Sequence, residues 1–433
     1  MNNFFTAYQR PVFYKSTFSN IWSKLKILVL VLLAFRTMEP YVFWGKGILT
    51  IVIILFLIAI LFMQVFYDST PLKFNIHKFY RIVLPWILFF VYKHLFWSTS
   101  IIAAFISIFS ALIPVVVLLL CSDAEKKDFL HKFTSFIAFI LFFSMLEYLL
   151  VVFKIVNITP SKIYYPDNDF YKYFDNYKLF IVVFDLRNFL IPRFQSVFTE
   201  PGHLGMMGAL LLYANQYKLK DKRVLIIFIS TLLTMSLASY VLLLAGVFLY
   251  KYSTSNKKTL MAIVLTIIAF FLILGGVIYY NAFPESNFST AIIGRLMPDE
   301  KKGIAGNNRT TPAFKKAFAE QMSDIDENSL FGYGSNAIKE RIPGTGGNSS
   351  GTCFIFMYGI VGGILLSCFY LSILRANYTN ASVGMLVLFF LSFLQRPYAT
   401  WFAQIAIMVC ASVNYKTLSD NSEKIKEMEG KKN

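Results

Sequence analysis

Between Arg187 and Gly205 the chain reads Arg-Asn-Phe-Leu-Ile-Pro-Arg-Phe-Gln-Ser-Val-Phe-Thr-Glu-Pro-Gly-His-Leu-Gly. This stretch gathers two guanidinium groups (Arg187, Arg193), a carboxylate (Glu200) and an imidazole (His203) at the edge of a long apolar block. Guanidinium groups match the geometry of phosphate oxygens, and a carboxylate or an imidazole can move a proton. Pro201 disfavours helical backbone at Glu200 and is itself favoured in a first turn. The spacing therefore predicts a helix starting at Pro201, with Glu200 extended before it and His203 in the first turn. Such a start points backbone N–H groups at an anion. The competing reading is structural: Glu200 and His203 cap the helix and satisfy each other, while the arginines anchor to lipid headgroups.

A second constellation runs from Gly294-Arg295 through Asn307-Asn308-Arg309 and Phe331-Gly-Tyr-Gly334 to Arg341 and Gly344-Thr-Gly-Gly-Asn348-Ser349-Ser350-Gly351. Pro312 to Met322 reads as an amphipathic helix with Phe314, Ala317 and Phe318 on one face. The glycine-rich stretch could cradle an anion, yet it lacks the lysine of a phosphate-binding loop and follows no strand, so a lid loop is the alternative. Asp167-Asn-Asp169 and Asp324-Ile-Asp326 resemble metal-holding acidic pairs but lack the alternating strands and helices of nucleotide-sugar enzymes, and read as solvated loop acids. Glu147 reads as mid-span in the fifth helix, where a carboxylate is either functional or a packing element. His77, His94 and His131 show no ligand spacing. Arg396, followed by Pro397, either joins the same external site or anchors at the interface.

These residues must be positioned by membrane helices. Of 433 residues 57% are hydrophobic and 15% charged, and 46 are phenylalanine. Apolar blocks of roughly 18 to 25 residues recur, the length that crosses ~30 Å of hydrocarbon. Gly47 to Tyr67 is apolar on every face, which excludes the alternation of a membrane barrel. Candidate helices fall near 23–38, 47–67, 79–97, 100–121, 133–156, 203–217, 224–250, 259–280, 352–374, 381–394 and 397–415. The first lacks a small-residue cleavage site after it and reads as a retained anchor. The net charge of +17 comes from short clusters between blocks and follows the positive-inside rule; no nucleic-acid-binding motif accompanies it. Cys121, Cys353, Cys368 and Cys410 have no paired spacing and read as small buried hydrophobes.

The basic connections (the N-terminal tail, 68–81, 122–132, 218–223, 251–258 and the tail 416–433) are all expected in the cytoplasm. That requires the block 224–250, interrupted at Ser236, Ala238 and Ser239, to be a hairpin. The expected fold is then an all-α polytopic integral membrane protein of one domain, with about twelve transmembrane segments (about 11 to 13) and two large external loops carrying short helices. The loops are 157–202 and 281–350. Residues 157–200 carry five basic and five acidic groups and 281–350 carry eight of each, so the whole excess charge lies elsewhere. No internal repeat marks the halves of a secondary transporter.

Over roughly residues 130 to 410 the chain resembles the bacterial O-antigen polymerase and ligase superfamily, and more closely the lipid-linked polysaccharide repeat-unit polymerases. The resemblance rests on the architecture and on Arg193-Phe-Gln-Ser-Val-Phe-Thr-Glu200-Pro-Gly-His203-Leu-Gly205. Looser support comes from Asn308-Arg309 before an amphipathic segment, Phe331-Gly-Tyr-Gly334, and Asn348-Ser-Ser-Gly followed by Phe356-Met-Tyr-Gly359-Ile-Val-Gly362. It implies an integral glycosyltransferase, needing no metal or other cofactor, on the outer face of a bacterial cytoplasmic membrane. There it would move a glycan from one polyprenyl diphosphate to a hydroxyl of another lipid-linked repeat unit, in O-antigen, capsule or exopolysaccharide synthesis. Arg193 and Arg309 would stabilise the diphosphate, with Arg187, Arg295, Arg341, Arg396, Asn348 and Ser349 binding substrate. Glu200, or second to it His203, would be the base. A chain-length regulator and a flippase are the implied protein partners, and no nucleic acid. The ligase branch carries a histidine where this chain has Asn348, Ser349 and Ser350, which argues against a ligase. Ligase-type transfer and a polysaccharide or solute transporter remain the alternatives.

Overall fold

The computed structural model describes residues 12–67, 76–97, 100–165, 173–178, 180, 183–184, 192–286, 288–299, 303–304, 310–342, 350–396 and 398–430. The chain opens with α1 (Val12–Thr37), α2 (Gly47–Tyr67), α3 (Ile76–Trp97), α4 (Ile101–Leu120) and α5 (Asp123–Val152). After the first large loop come α6 (Pro201–Ala214), α7 (Lys222–Leu233), α8 (Leu237–Thr254) and α9 (Lys258–Ala282). The second loop carries α10 (Pro312–Gln321), α11 (Glu327–Phe331) and α12 (Ala337–Arg341), followed by α13 (Gly351–Ala376), α14 (Asn380–Gln395) and α15 (Phe402–Gly430). Five of these helices, α2, α5, α8, α9 and α13, are long and apolar enough to cross a membrane. The protein is thus mostly helical and of membrane type.

One apolar core joins α1, α3, α5, α6, α13, α14 and α15. Helix α6 lies at its centre, and every one of its residues is buried. Its glycines set how close the neighbours come. A Cβ at Gly208 would lie 2.2 Å from Thr231 Oγ1, and one at Gly205 would lie 1.6 Å from Ser239 Oγ and 3.2 Å from Thr234 Oγ1. Thr231, Thr234 and Ser239 form the apex between α7 and α8, where Met235 adopts φ +43°. At the other end of α6, Asn215 donates to Thr134 on α5, and Arg223 at the start of α7 contacts His131 and Ser135 of the same helix. The last turns of α8 return to that end, with Tyr250 against Tyr213 and Tyr217. The block 224–250 is therefore a hairpin that straddles α6, as the charge pattern required.

Both large loops lie at one end of the bundle. Residue Tyr41, just after α1, donates its amide to Val197 at 2.9 Å, and Tyr148 near the end of α5 donates to Pro192 O at 2.7 Å. Tyr92 near the end of α3 meets Phe331 O at 2.6 Å. At the opposite end Lys26 pairs with Glu125 at 2.8 Å and donates to Gln64, and Lys126 donates to Cys121 O at 2.6 Å.

Three expectations are corrected. Residues 123–132 are not a connection but the first turns of α5, which starts in a capping box: Ser122 Oγ accepts from the Glu125 amide while Glu125 accepts from the Ser122 amide. A 30-residue helix is ~45 Å long, so Glu147 sits in its last two turns and not mid-span. The first loop carries strands among its described residues, not short helices. Strands β1 (Ser161–Tyr164), β2 (Tyr173–Asn176) and β3 (Val183–Phe184) pair antiparallel in that order, with Tyr164 opposite Tyr173 and Lys162 opposite Asp175. An aromatic floor supports the pairing, because Phe174 and Tyr165 pack on Trp44, at 5.1 and 4.7 Å between ring centroids. In the second loop the short helices are present, together with a two-residue pair of β4 (Pro298–Asp299) and β5 (Gly303–Ile304).

Candidate functional site

The stretch 192–203 is clamped on several sides before it enters α6. A helix end leaves carbonyls without partners, and those ending α7 are met here: the Phe194 amide donates to Leu233 O at 3.1 Å and buried Arg193 donates from Nε to Thr234 O at 3.0 Å. Phe194 also packs edge-on against Tyr148 at 5.2 Å. Ser196 holds a left-handed backbone (φ +54°) and donates to Ser144 on α5 at 2.7 Å. Phe198 bridges to Pro40. With the backbone fixed in this way, Glu200 is extended (φ −145°, ψ 145°) at the N-cap of α6, with Pro201 in the first turn, as the proline predicted.

Glu200 makes no side-chain cap. Its Oε2 accepts from Arg396 Nη2, across 196 residues of sequence. Arg396 is only 3% exposed, so it is not an interface anchor; among the described residues its Nε and Nη1 have no hydrogen-bond partner. Room for this guanidinium depends on Gly202, where a Cβ would lie 2.4 Å from Nη2. His203, also buried, is held by other groups: Thr199 Oγ1 lies 2.8 Å from Nδ1 and Tyr398 OH 2.9 Å from Nε2. Tyr398 is stacked on Trp401 at 4.1 Å, and both rings stand edge-on to the imidazole. The purely structural reading, with Glu200 capping α6, is therefore replaced by an ion pair beside a hydroxyl–imidazole–hydroxyl chain.

Arg193 and Arg396 contact the surroundings of α6 at Gly205 and Gly202, three residues or ~4.5 Å of rise apart. The second loop reaches this neighbourhood from the other side. Ser350 N-caps α13, and at Gly351 a Cβ would lie 3.3 Å from Phe393 O and 3.5 Å from the Leu394 Cα, just before Arg396. The two glycine motifs of this loop meet each other: Tyr333 donates its amide to Phe356 O at 3.0 Å and Gly334 to Met357 O at 2.8 Å. Gly359 breaks α13 there with φ +63°, and Gly332, at φ +80°, lets the two backbones touch. Tyr92 OH sits between Phe331 O and Tyr358 O and fixes the junction.

Not every expected residue converges. Arg341 lies over the Tyr333 ring at 3.6 Å from its centroid, and Arg295 is half-buried in a short turn; no contact with Glu200 is seen for either. Arg187, Arg309, Asn348 and Ser349 lie outside the described residues. Glu147 is buried beneath the first loop, beside the Phe180 backbone. Burial, and then this carboxylate, push the Tyr41 phenol above its ordinary value. Thr199, Tyr398 and Trp401 escaped sequence reasoning: two are common interface aromatics, and only their distance-free neighbours Arg396 and His203 carried a signal. Among the described residues no group of three or more His, Cys, Asp or Glu is placed to hold a metal ion. No known family, curated protein or solved structure matches the chain.

Proposed function

We propose that the protein is a glycosyltransferase that polymerises polyprenyl-diphosphate-linked repeat units into a surface polysaccharide on the outer face of a bacterial cytoplasmic membrane. The observation that carries this reading is the convergence, at one end of the bundle, of a carboxylate, a buried and incompletely partnered guanidinium, a second arginine and a hydrogen-bonded imidazole. The reading includes twelve membrane segments, α1 to α9 and α13 to α15, with both large loops external.

Helix lengths support a recessed site. Helices α6 and α14 have 14 and 16 residues, or ~21 and ~24 Å, short of the ~30 Å of hydrocarbon. With their far ends beside Lys218, Lys220 and Arg375 at the inner surface, Glu200 and Arg396 lie several ångströms below the outer boundary. A lipid-borne diphosphate reaches that depth from the bilayer side.

In the reaction an acceptor hydroxyl attacks the anomeric carbon of the donor glycan. The new C–O bond forms as the bond to the diphosphate breaks, the carrier diphosphate leaves with the electron pair, and the hydroxyl proton passes to Glu200. Arg396 and Arg193 offset the charge that grows on the leaving group. His203, held between Thr199 and Tyr398, is the second group able to accept the proton. Single replacement of Arg193, Glu200 or Arg309, with glycan length on lipid carriers read from membranes, tests the reading. Short products in these variants are expected, and long chains in all three would overturn it.

A further inference from the structure

A buried guanidinium with two unpartnered nitrogens is an expensive arrangement, because each unmet donor bears its desolvation cost. Arg396 is in this state: Nη2 is committed to Glu200, Tyr398 lies beside the guanidinium, and among the described residues neither Nε nor Nη1 has a hydrogen-bond partner, while the side chain is 3% exposed. Its carboxylate partner is different, a third exposed and on an extended residue ahead of the helix. The pair is thus asymmetric, a buried cation and a partly exposed carboxylate. It also presents a difficulty for catalysis, since a carboxylate paired with a guanidinium is a poor base.

We propose that the Glu200–Arg396 pair is an exchange switch, in which a phosphate-bearing ligand binds the Nε–Nη2 edge of the Arg396 guanidinium and displaces Glu200 from Nη2. A phosphate can take Nε and a terminal nitrogen together, the bidentate mode that guanidinium favours. The incoming negative charge repels the carboxylate, which loses its contact with Arg396 and gains proton affinity. The base is then active only with a donor in place, which protects a loaded carrier from idle hydrolysis. This exchange rests on the polymerase reading only for the identity of the anion.

Among the described residues, the groups facing the pair are His203 from α6 and Tyr398 from the segment before α15, with Arg193 one turn further along. All three are unchanged in a Glu200→Gln variant, so they cancel when that variant is compared with the wild type. The test is binding of inorganic pyrophosphate to the purified full-length protein in detergent, across a pH series. At neutral pH Glu200→Gln is expected to bind roughly five- to tenfold tighter than wild type, the scale of one like-charge competitor. As pH falls and Glu200 becomes protonated, wild-type affinity should approach that of the variant. Arg396→Lys keeps a charge but loses the fork, and should weaken binding several-fold. Equal affinity of wild type and Glu200→Gln at every pH, or unaltered binding in Arg396→Lys, overturns the switch. Because no glycan is needed, a protein that shows the exchange yet builds no chain would refute the polymerase reading alone.

Discussion

Helices α6 and α9 are both strongly apolar, yet the protein treats them in opposite ways. All 14 residues of α6 are buried in protein, whereas none of the 25 residues of α9 is. Hydropathy alone favours α9 as a membrane span, because the rest of the protein leaves most of its surface uncovered and a helix so placed in lipid must be apolar on those faces. A helix wrapped by other helices is free of that demand. Its surface can carry glycines for close approach and begin with Glu200 and His203, because arginine, threonine and tyrosine side chains arrive to satisfy them. The site belongs to a helix too short to look like a full span, and its polar chemistry depends on the packing that buries it.

Substitutions that enlarge the two helices should separate these roles. Gly205→Leu drives bulk into Ser239 and Thr234 at the hairpin apex, and the loss should exceed the ~1–3 kcal/mol usual for overpacking, seen as a collapse of folded yield and thermal stability in detergent. Gly202→Ala is milder in stability, since the atom it meets is the far end of the Arg396 side chain. It should still displace that guanidinium, so glycan length should fall more than thermal stability does; equal losses would mean that the guanidinium position is immaterial. Gly275→Leu in α9, where no atom lies within 4 Å of the added Cβ, should change stability by no more than ~0.5 kcal/mol. A large destabilisation there would reveal a protein partner on that helix.

A labelling experiment sharpens the comparison further. In a background lacking the four native cysteines, a cysteine at Asn256, between α8 and α9, should resist an impermeant reagent applied to intact cells, while one at Asp324 should react. Labelling at Asn256 would mean that the block 224–250 crosses the membrane only once and would put the second large loop inside.

Much of this was legible in the sequence. Pro201 fixed the start of α6, the basic clusters required the hairpin, and Pro312 with the Phe314–Phe318 spacing gave α10. Other features needed three dimensions. Ser122-Asp-Ala-Glu125 carries a capping-box signature, but the charged turns after it looked like a loop, and so Glu147 was placed too deep. The partnership of Glu200 with Arg396 spans 196 residues and leaves no local spacing to read. The strands of the first loop are four residues or fewer, too short for alternation to declare itself, and they form because Trp44 offers an aromatic floor.

The most direct measurement uses the purified protein in liposomes, supplied with a polyprenyl-diphosphate-linked repeat unit as both donor and acceptor. The wild type should yield a ladder of longer lipid-linked glycans, and Glu200→Gln should leave single units. A wild-type protein that binds the substrate yet yields no ladder, or a Glu200→Gln variant that builds one as fast as the wild type, would contradict the account.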